Sequence, residues 1–177
     1  MRLRRLEEKD AAFMLEWMHD ESVVKYMGAN FGAKTIEDCK NFIKSSQDTS
    51  KDLNLAIVND EDEYMGTVSL KHINQEKKTA EFAITVRKIA MGNGFSGFGI
   101  KEILRIGLEE LGLTKIYWCV ARINERAVRF YDKNGYIPEI FNPYNCCELS
   151  DYAPTLTAQG DSITKSGTVL IVCENNE

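Results

Sequence analysis

The sequence predicts an α/β or α+β domain, and three observations predict it. Runs of strand character follow one another at Leu53 to Val58, Tyr64 to Ile73 and Thr79 to Val86, with only short turns between them. Directly afterwards Ile100, Ile103, Leu104, Leu108 and Leu111 recur at the spacing of one helix face. Lys115 to Val120 then reads as another strand, followed by a second helical segment.

The elements can be justified in order. Met1 to Leu6 sets Leu3 among arginines and reads as an edge strand, after which Asp10 is placed to cap a helix whose apolar face is Phe13, Met14 and Trp17. Ser22 begins a short second turn with Val23, Val24 and Met27 apolar; Trp17 and Tyr26 are read as core. Gly28 to Ala33 is a loop. Thr35 followed by Asp38 matches a capping box ahead of Ile36, Cys39, Phe42 and Ile43, a second amphipathic helix. Asn59 to Glu63 and Asn74 to Lys78 are the turns of an antiparallel three-strand meander. Gly99 and Gly107 fall inside the next helix at a cost of about 1 kcal/mol each against alanine, which predicts close approach to a strand or a ligand. Asn124 suits the N-cap of the last helix and Gly135 its stop. Beyond Tyr136, Pro138, Pro143 and Pro154 mark irregular chain up to a final strand at Thr168 to Cys173. The whole of residues 1–177 is expected to form one domain, with 137–177 an irregular tail; a loop of about 30 residues is long and tends to be either functional or mobile, and the sequence assigns no particular role to Tyr144 to Gly160.

The most informative stretch is Gly92-Asn93-Gly94-Phe95-Ser96-Gly97-Phe98-Gly99, which joins a strand to a helix start. Glycines admit close backbone approach, and the free N–H groups and positive dipole end of the first helical turn favour an anion such as phosphate or pyrophosphate. Glycine clusters are also ordinary turns, so other phosphate patterns must be weighed. Gly-Lys-Ser/Thr is absent, which excludes a P-loop. Gly92, Gly94 and Gly97 match the dinucleotide spacing, but Glu109 and Glu110, the acidic residues at the right distance, lie inside the predicted helix rather than at a strand end. That disfavours a nicotinamide enzyme.

The segment Asn124-Glu125-Arg126-Ala127-Val128-Arg129-Phe130-Tyr131-Asp132-Lys133-Asn134-Gly135-Tyr136 settles the choice, because behind the glycine loop it strongly resembles the GNAT superfamily of acyl-CoA-dependent N-acyltransferases. The family pattern Asn-x-x-Ala-x-x-x-Tyr-x-x-x-Gly-Phe is met at Asn124, Ala127, Tyr131 and Gly135, with Tyr136 in place of Phe. Its pyrophosphate motif falls on Met91, Gly94 and Ser96, where Met91 replaces Arg or Gln and Ser96 replaces Gly or Ala. The resemblance covers roughly Met1 to Tyr136. Trp17 to Met27 looks like the subgroup of ribosomal-protein alanine, spermidine and amino-sugar-nucleotide acetyltransferases, in which this segment borders the acceptor site, the alternative to reading Trp17 and Tyr26 as core.

This resemblance implies a central mixed, mostly antiparallel sheet flanked by helices, with a splayed strand pair binding acetyl-CoA. The implied cofactor contacts are Ile84 and Val86, whose backbone pairs with the pantetheine arm, then Met91, Gly92, Asn93, Gly94, Phe95, Ser96, Gly97 and Asn124. An N–H of the splayed strand is also placed to hold a developing oxyanion. Acetyl transfer to an amine needs a base, because an alkyl amine of pKa about 10.4 is protonated at neutral pH, and an acid for the departing thiolate. Tyr131 is the expected acid; the alternative is that it only packs on the sulfur end. Glu81 is the expected base, acting through water, against the alternative of a surface glutamate. The acceptor is expected to be a primary amine on a small molecule or a protein N-terminus. A basic acceptor pocket would instead favour an amino-sugar nucleotide, and loss of turnover would leave an acyl-CoA sensor. Homodimers are common in the resembled family, so a homodimer is expected by analogy.

Composition sets the remaining bounds. A net charge of −5 and pI near 5.2 argue against sequence-independent nucleic-acid binding and suit a cationic or amine substrate. With no apolar run long enough for a signal peptide or membrane anchor, the expected location is the cytoplasm and no membrane partner is expected. Cys39, Cys119, Cys146, Cys147 and Cys173 are odd in number and lack Cys-x-x-Cys, so they are expected to stay reduced. His19 and His72 stand far apart, and no metal site is expected.

Overall fold

A computed structural model describes residues 1–121, 123–136, 138–141 and 168–173. Its strands are β1 (Arg2–Arg5), β2 (Leu53–Val58), β3 (Tyr64–Asn74), β4 (Thr79–Val86), β5 (Lys115–Ala121), β6 (Pro138–Phe141) and β7 (Thr168–Cys173), joined in one sheet of order β1-β2-β3-β4-β5-β7-β6. The helices are α1 (Ala11–Met18), α2 (Glu21–Val24), α3 (Ile36–Ser45), α4 (Phe95–Arg105) and α5 (Glu125–Lys133). Strands β1 to β4 run antiparallel as the expected meander, whereas β4-β5, β5-β7 and β7-β6 are parallel. The sheet is therefore mixed.

Helices cover both faces because the strands alternate. On β2, Ile57 packs with Val68, Leu70 and Phe82 of β3 and β4 against Ile100, Ile103 and Leu104 of α4. Ala56 and Val58 face the other way, against Met14 and Trp17 of α1 and Cys39 and Ile43 of α3. The glycines inside the α4 helix have their reason in this packing. A Cβ at Gly99 would lie 2.5 Å from Ile57 Cδ1, and one at Gly107 2.5 Å from Ile116 Cδ1. Past Arg105 the helix widens to a π-turn over Ile106–Glu110, closed by Leu111 N–H donating to the Ile106 carbonyl at 2.9 Å.

Local signals and structure agree at Thr35 and Asp38, which form a reciprocal capping box, and at Asn124, whose side chain accepts from Ala127 N–H. Four readings are corrected. Asp10 does not cap α1: its buried carboxylate takes both Nη atoms of Arg4, at 2.7 and 2.8 Å, and the Glu7 N–H. A forked pair with a fully charged guanidinium outcompetes a single cap bond from a backbone N–H. The second turn, α2, begins at Glu21 with Asp20 as its cap, one residue ahead of Ser22, and Tyr26 is half-buried rather than core. Pro138 does not mark irregular chain but opens β6, consistent with the tolerance for proline at a strand's first residue. Of the cysteines, Cys39 is buried and free, while Cys146, Cys147 and the stretch 144–160 lie outside the described residues. Among the described residues no helix is long and apolar enough to cross a membrane.

Candidate active site

The site begins with a defect in the sheet. Strand β4 pairs with β5 only from Thr79 to Glu81, against Lys115 to Tyr117, although β4 continues to Val86 and β5 to Ala121. Beyond that point the strands part, and the β5-facing edge of residues 82–86 has no strand partner among the described residues, leaving backbone groups that need another one.

The glycine loop closes one end of the gap. Gly92 and Gly94 sit at φ +80° and +84°, backbone that side chains rarely adopt, and Gly94 is the N-cap of α4. Among the described residues no side chain caps this helix, so its first N–H groups remain available. A Cβ at Gly92 or Gly97 would meet nothing within 4 Å, so this face of the loop is open. Asn93 ties the loop to itself, donating to the Ile89 carbonyl at 2.9 Å, and Phe95 packs into the core.

Helix α5 forms the opposite wall. Val23, Ile84, Val86, Met91, Gly92, Ser96, Asn124, Arg126, Ala127, Phe130 and Tyr131 line one cleft. Of the residues singled out in the sequence, the structure brings Ile84, Val86, Met91, Gly92, Ser96, Asn124 and Tyr131 together there. Asn93, Gly94, Phe95 and Gly97 shape the loop and helix entrance instead. Tyr131 is 7% exposed, with its ring packed on Trp118, Phe130 and Tyr136 at centroid distances of 5.6, 5.3 and 6.1 Å. Burial, then the neighbouring Tyr136, pushes its phenol above the ordinary tyrosine value, so it is protonated at neutral pH.

Sequence reasoning passed over Arg126. It lines the cleft, its Nη1 stands 2.9 Å from Met91 Sδ, and it makes no ion pair among the described residues. A cation thus lies beside the position where the family motif would have carried Arg or Gln. The only sequence signal was its place two residues after the Asn124 cap, which does not mark an arginine as facing a ligand.

A second cavity opens on the other side of Ile84, which lines both. Its walls are Met14, Trp17 and Met18 of α1, Phe31 and Lys34, and Asp38 and Phe42 of α3. Its floor is Asn54, Thr67, Ser69, Lys71, Ala83 and Thr85. Trp17 Nε1–H donates to Tyr64 Oη at 3.1 Å, which bonds Thr67 Oγ1 at 2.7 Å, so the wall is tied to the floor. Buried Arg87 braces α1 from beneath, bonding Glu16, Glu63 and the Tyr64 carbonyl with its guanidinium 4.4 Å from the Phe13 ring centroid. Glu81 lines neither cavity. It sits where β4 and β5 still pair, 3.7 Å from His72 Nε2 and across the strand from Lys71.

An elongated ligand with a phosphate end and an amide-bearing arm fits this geometry: open glycines, an uncapped helix start and an unpaired arginine face its anion, and a free strand edge faces its amides. Fold and site together define an acyl-CoA-dependent transferase. Residues 1–137 match the family described as "Acetyltransferase (GNAT) domain". Spermidine N(1)-acetyltransferase of Escherichia coli (strain K12) is 28% identical over 139 residues, 78% of this chain and 74% of that protein. An uncharacterized N-acetyltransferase p20 of Bacillus licheniformis is 26% identical over 141 residues, 77% of this chain and 79% of the relative. The crystal structure of spermidine N-acetyltransferase from Vibrio cholerae in complex with CoA and spermine superposes with a TM-score of 0.70 at 25% identity, covering 78% of this chain and 81% of that one. The chain belongs to the GNAT acetyltransferase family, and it is an acetyl-CoA-dependent N-acyltransferase.

Proposed function

We propose that this chain transfers acetyl from acetyl-CoA to the primary amine of a small molecule or protein N-terminus, with the cofactor in the β4-β5 cleft and the acceptor in the cavity beyond Ile84. The observation that carries this reading is the meeting of the two cavities at Ile84, with Tyr131 on the cofactor side. The acyl-CoA arm runs along the open edge of β4 at Ile84 and Val86, with its pyrophosphate at Gly92, Ser96 and the α4 N-terminus. Arg126 supplies the positive charge that Met91 lacks. When bound, acetyl-CoA supplies an activated acetyl thioester. Tyr131 holds a proton at its Oη at neutral pH and is placed to donate it to the leaving sulfur. Asn124 orders the first turn of α5, and through it the direction of Arg126 and Tyr131.

Glu81 acts as base through water, because it shares a β4 face with Ala83 and Thr85, which line the acceptor cavity, without lining that cavity itself. Spermidine acetylation by the named relatives agrees with an amine acceptor.

Amide hydrogen exchange with and without acetyl-CoA tests the placement. Slowed exchange at 82–86, 92–97 and 124–128 is expected. Unchanged exchange there at saturating acetyl-CoA would remove the cleft from the mechanism.

A further inference from the structure

The acceptor cavity carries a chemical signature of its own. Half of its lining side chains are apolar, with Met14, Trp17, Met18, Phe31 and Phe42 forming the walls. Its charged residues are Lys34, Lys71 and Asp38, so cations outnumber anions. Neither lysine makes an ion pair within the described residues. Asp38 is already committed to helix α3, its Oδ2 taking the Thr35 N–H and Oγ1–H, each at 2.8 Å. Of the other carboxylates nearby, Glu16 is held by Arg87, Asp20 caps α2, and Glu81 lies outside the cavity lining. On the floor, Asn54 is 7% exposed. One end of its amide bonds Ser69 at 2.7 Å, and the other end has no partner among the described residues.

A polyamine fits this cavity poorly. Each of its amines is protonated at neutral pH, and holding several such charges takes several free carboxylates. Here the groups free to act are two ammonium ions and an amide, which attract the opposite charge. The apolar walls also need something apolar to cover.

Resting on the acetyl-transfer reading above, we infer that the acceptor is a monoamine whose apolar body carries one anionic group, carboxylate or phosphate. Lys71 and Lys34 hold the anion, Asn54 bonds a polar atom beside it, and the aromatic wall covers the body. The amine is left to point past Thr85 and Ile84 towards the cofactor cleft. The spermidine specificity named for the relatives does not extend to this pocket.

Thiol release from acetyl-CoA, together with equilibrium binding to the CoA-loaded protein, tests this with spermidine, an aromatic amino acid, its carboxamide, a phosphorylated alkyl amine and an amino-sugar nucleotide. The anionic amines are expected to exceed spermidine in kcat/KM, the aromatic amino acid to exceed its carboxamide, and the better of the acid and phosphate arms to name the anion. Lys71→Ala raises KM for the free acid about tenfold and moves that for the carboxamide much less. Lys71→Arg restores most of the loss, and exposed Lys34→Ala gives a smaller effect in the same direction. Preference for spermidine, or equal effects of Lys71→Ala on acid and carboxamide, would overturn the inference while leaving acetyl transfer intact. If no member released thiol, the acetyl-transfer reading would fall, and the binding preference alone would decide the pocket: spermidine bound most tightly would overturn the inference, an anionic amine bound most tightly would uphold it.

Discussion

Tyr131→Phe separates chemistry from folding more cleanly than any other substitution in this chain. The ring is held by Trp118, Phe130 and Tyr136, contacts that phenylalanine keeps. The hydroxyl has no hydrogen-bond partner among the described residues although the residue is only 7% exposed. Removing it therefore costs no protein hydrogen bond and relieves some desolvation, so stability is expected to stay within about 1 kcal/mol of wild type or to rise. Loss of a positioned acid slows turnover about 10²- to 10⁴-fold, roughly 3 to 5 kcal/mol in the barrier. KM for acetyl-CoA should hold, because the cleft keeps its shape. The wild-type pH profile carries the matching sign. A phenol raised above its ordinary value donates while protonated and fails only as pH rises through the raised value, so its alkaline limb lies above 10. The assay is initial-rate thiol release at saturating acetyl-CoA and amine, beside a thermal melt of the same preparation. A variant with unchanged melting temperature and kcat within about threefold of wild type would refute the acid role.

Other substitutions probe the remaining parts. Arg126→Ala should weaken CoA binding about tenfold and flatten its dependence on salt, since one unpaired cation facing the cleft is lost; titration calorimetry at two ionic strengths checks this, and unchanged affinity would leave the arginine a surface residue. Gly99→Ala gains about 1 kcal/mol of helix preference but sets a Cβ 2.5 Å from Ile57 Cδ1 and 3.1 Å from Ile84 Cδ1, an overpacking cost of about 1–3 kcal/mol. A melting temperature lowered by about 2–4 °C per kcal/mol lost is expected, with altered KM as Ile84 moves, whereas a more stable variant would contradict the packing. Asp62 is held at about 2 by Lys9 and then Arg4, below its unfolded value of 3.8. Its folded-state pKa is depressed, so its contribution is complete above 3.8 and is lost as pH falls towards 2. Asp62→Asn, which tolerates the φ of +65° there, should lower stability at neutral pH and flatten the acid side of the stability curve. An unchanged acid limb would exclude this ion-pair group as its source.

What the sequence made legible was whatever is encoded locally. The meander, the Thr35/Asp38 box, the Asn124 cap and the glycine loop are each fixed by residues within a few positions of one another. Readings failed where a partner on another element decided. Asp10 looks like a cap until Arg4 folds back from β1 to take both carboxylate oxygens. Strand β6 is only four residues long and exists by pairing with β7, some thirty positions away in sequence. Arg126 and the acceptor cavity were illegible for a related reason. An exposed arginine on a helix carries no mark of the cleft it faces, and the cavity is assembled from α1, α3 and three strands that no single motif links.

The most direct test of the central claim is thiol release from acetyl-CoA on adding amines, with the acetylated amine identified by mass. Polyamines, amino acids, amino-sugar nucleotides and peptides with free N-termini form the panel, and Tyr131→Phe is the control. The account predicts amine-dependent release with one class, one acetyl group per thiol, and loss of turnover in the variant with cofactor binding retained. Acetyl-CoA binding in the cleft with no amine-dependent release from any class would contradict it and leave an acyl-CoA-binding domain without transfer.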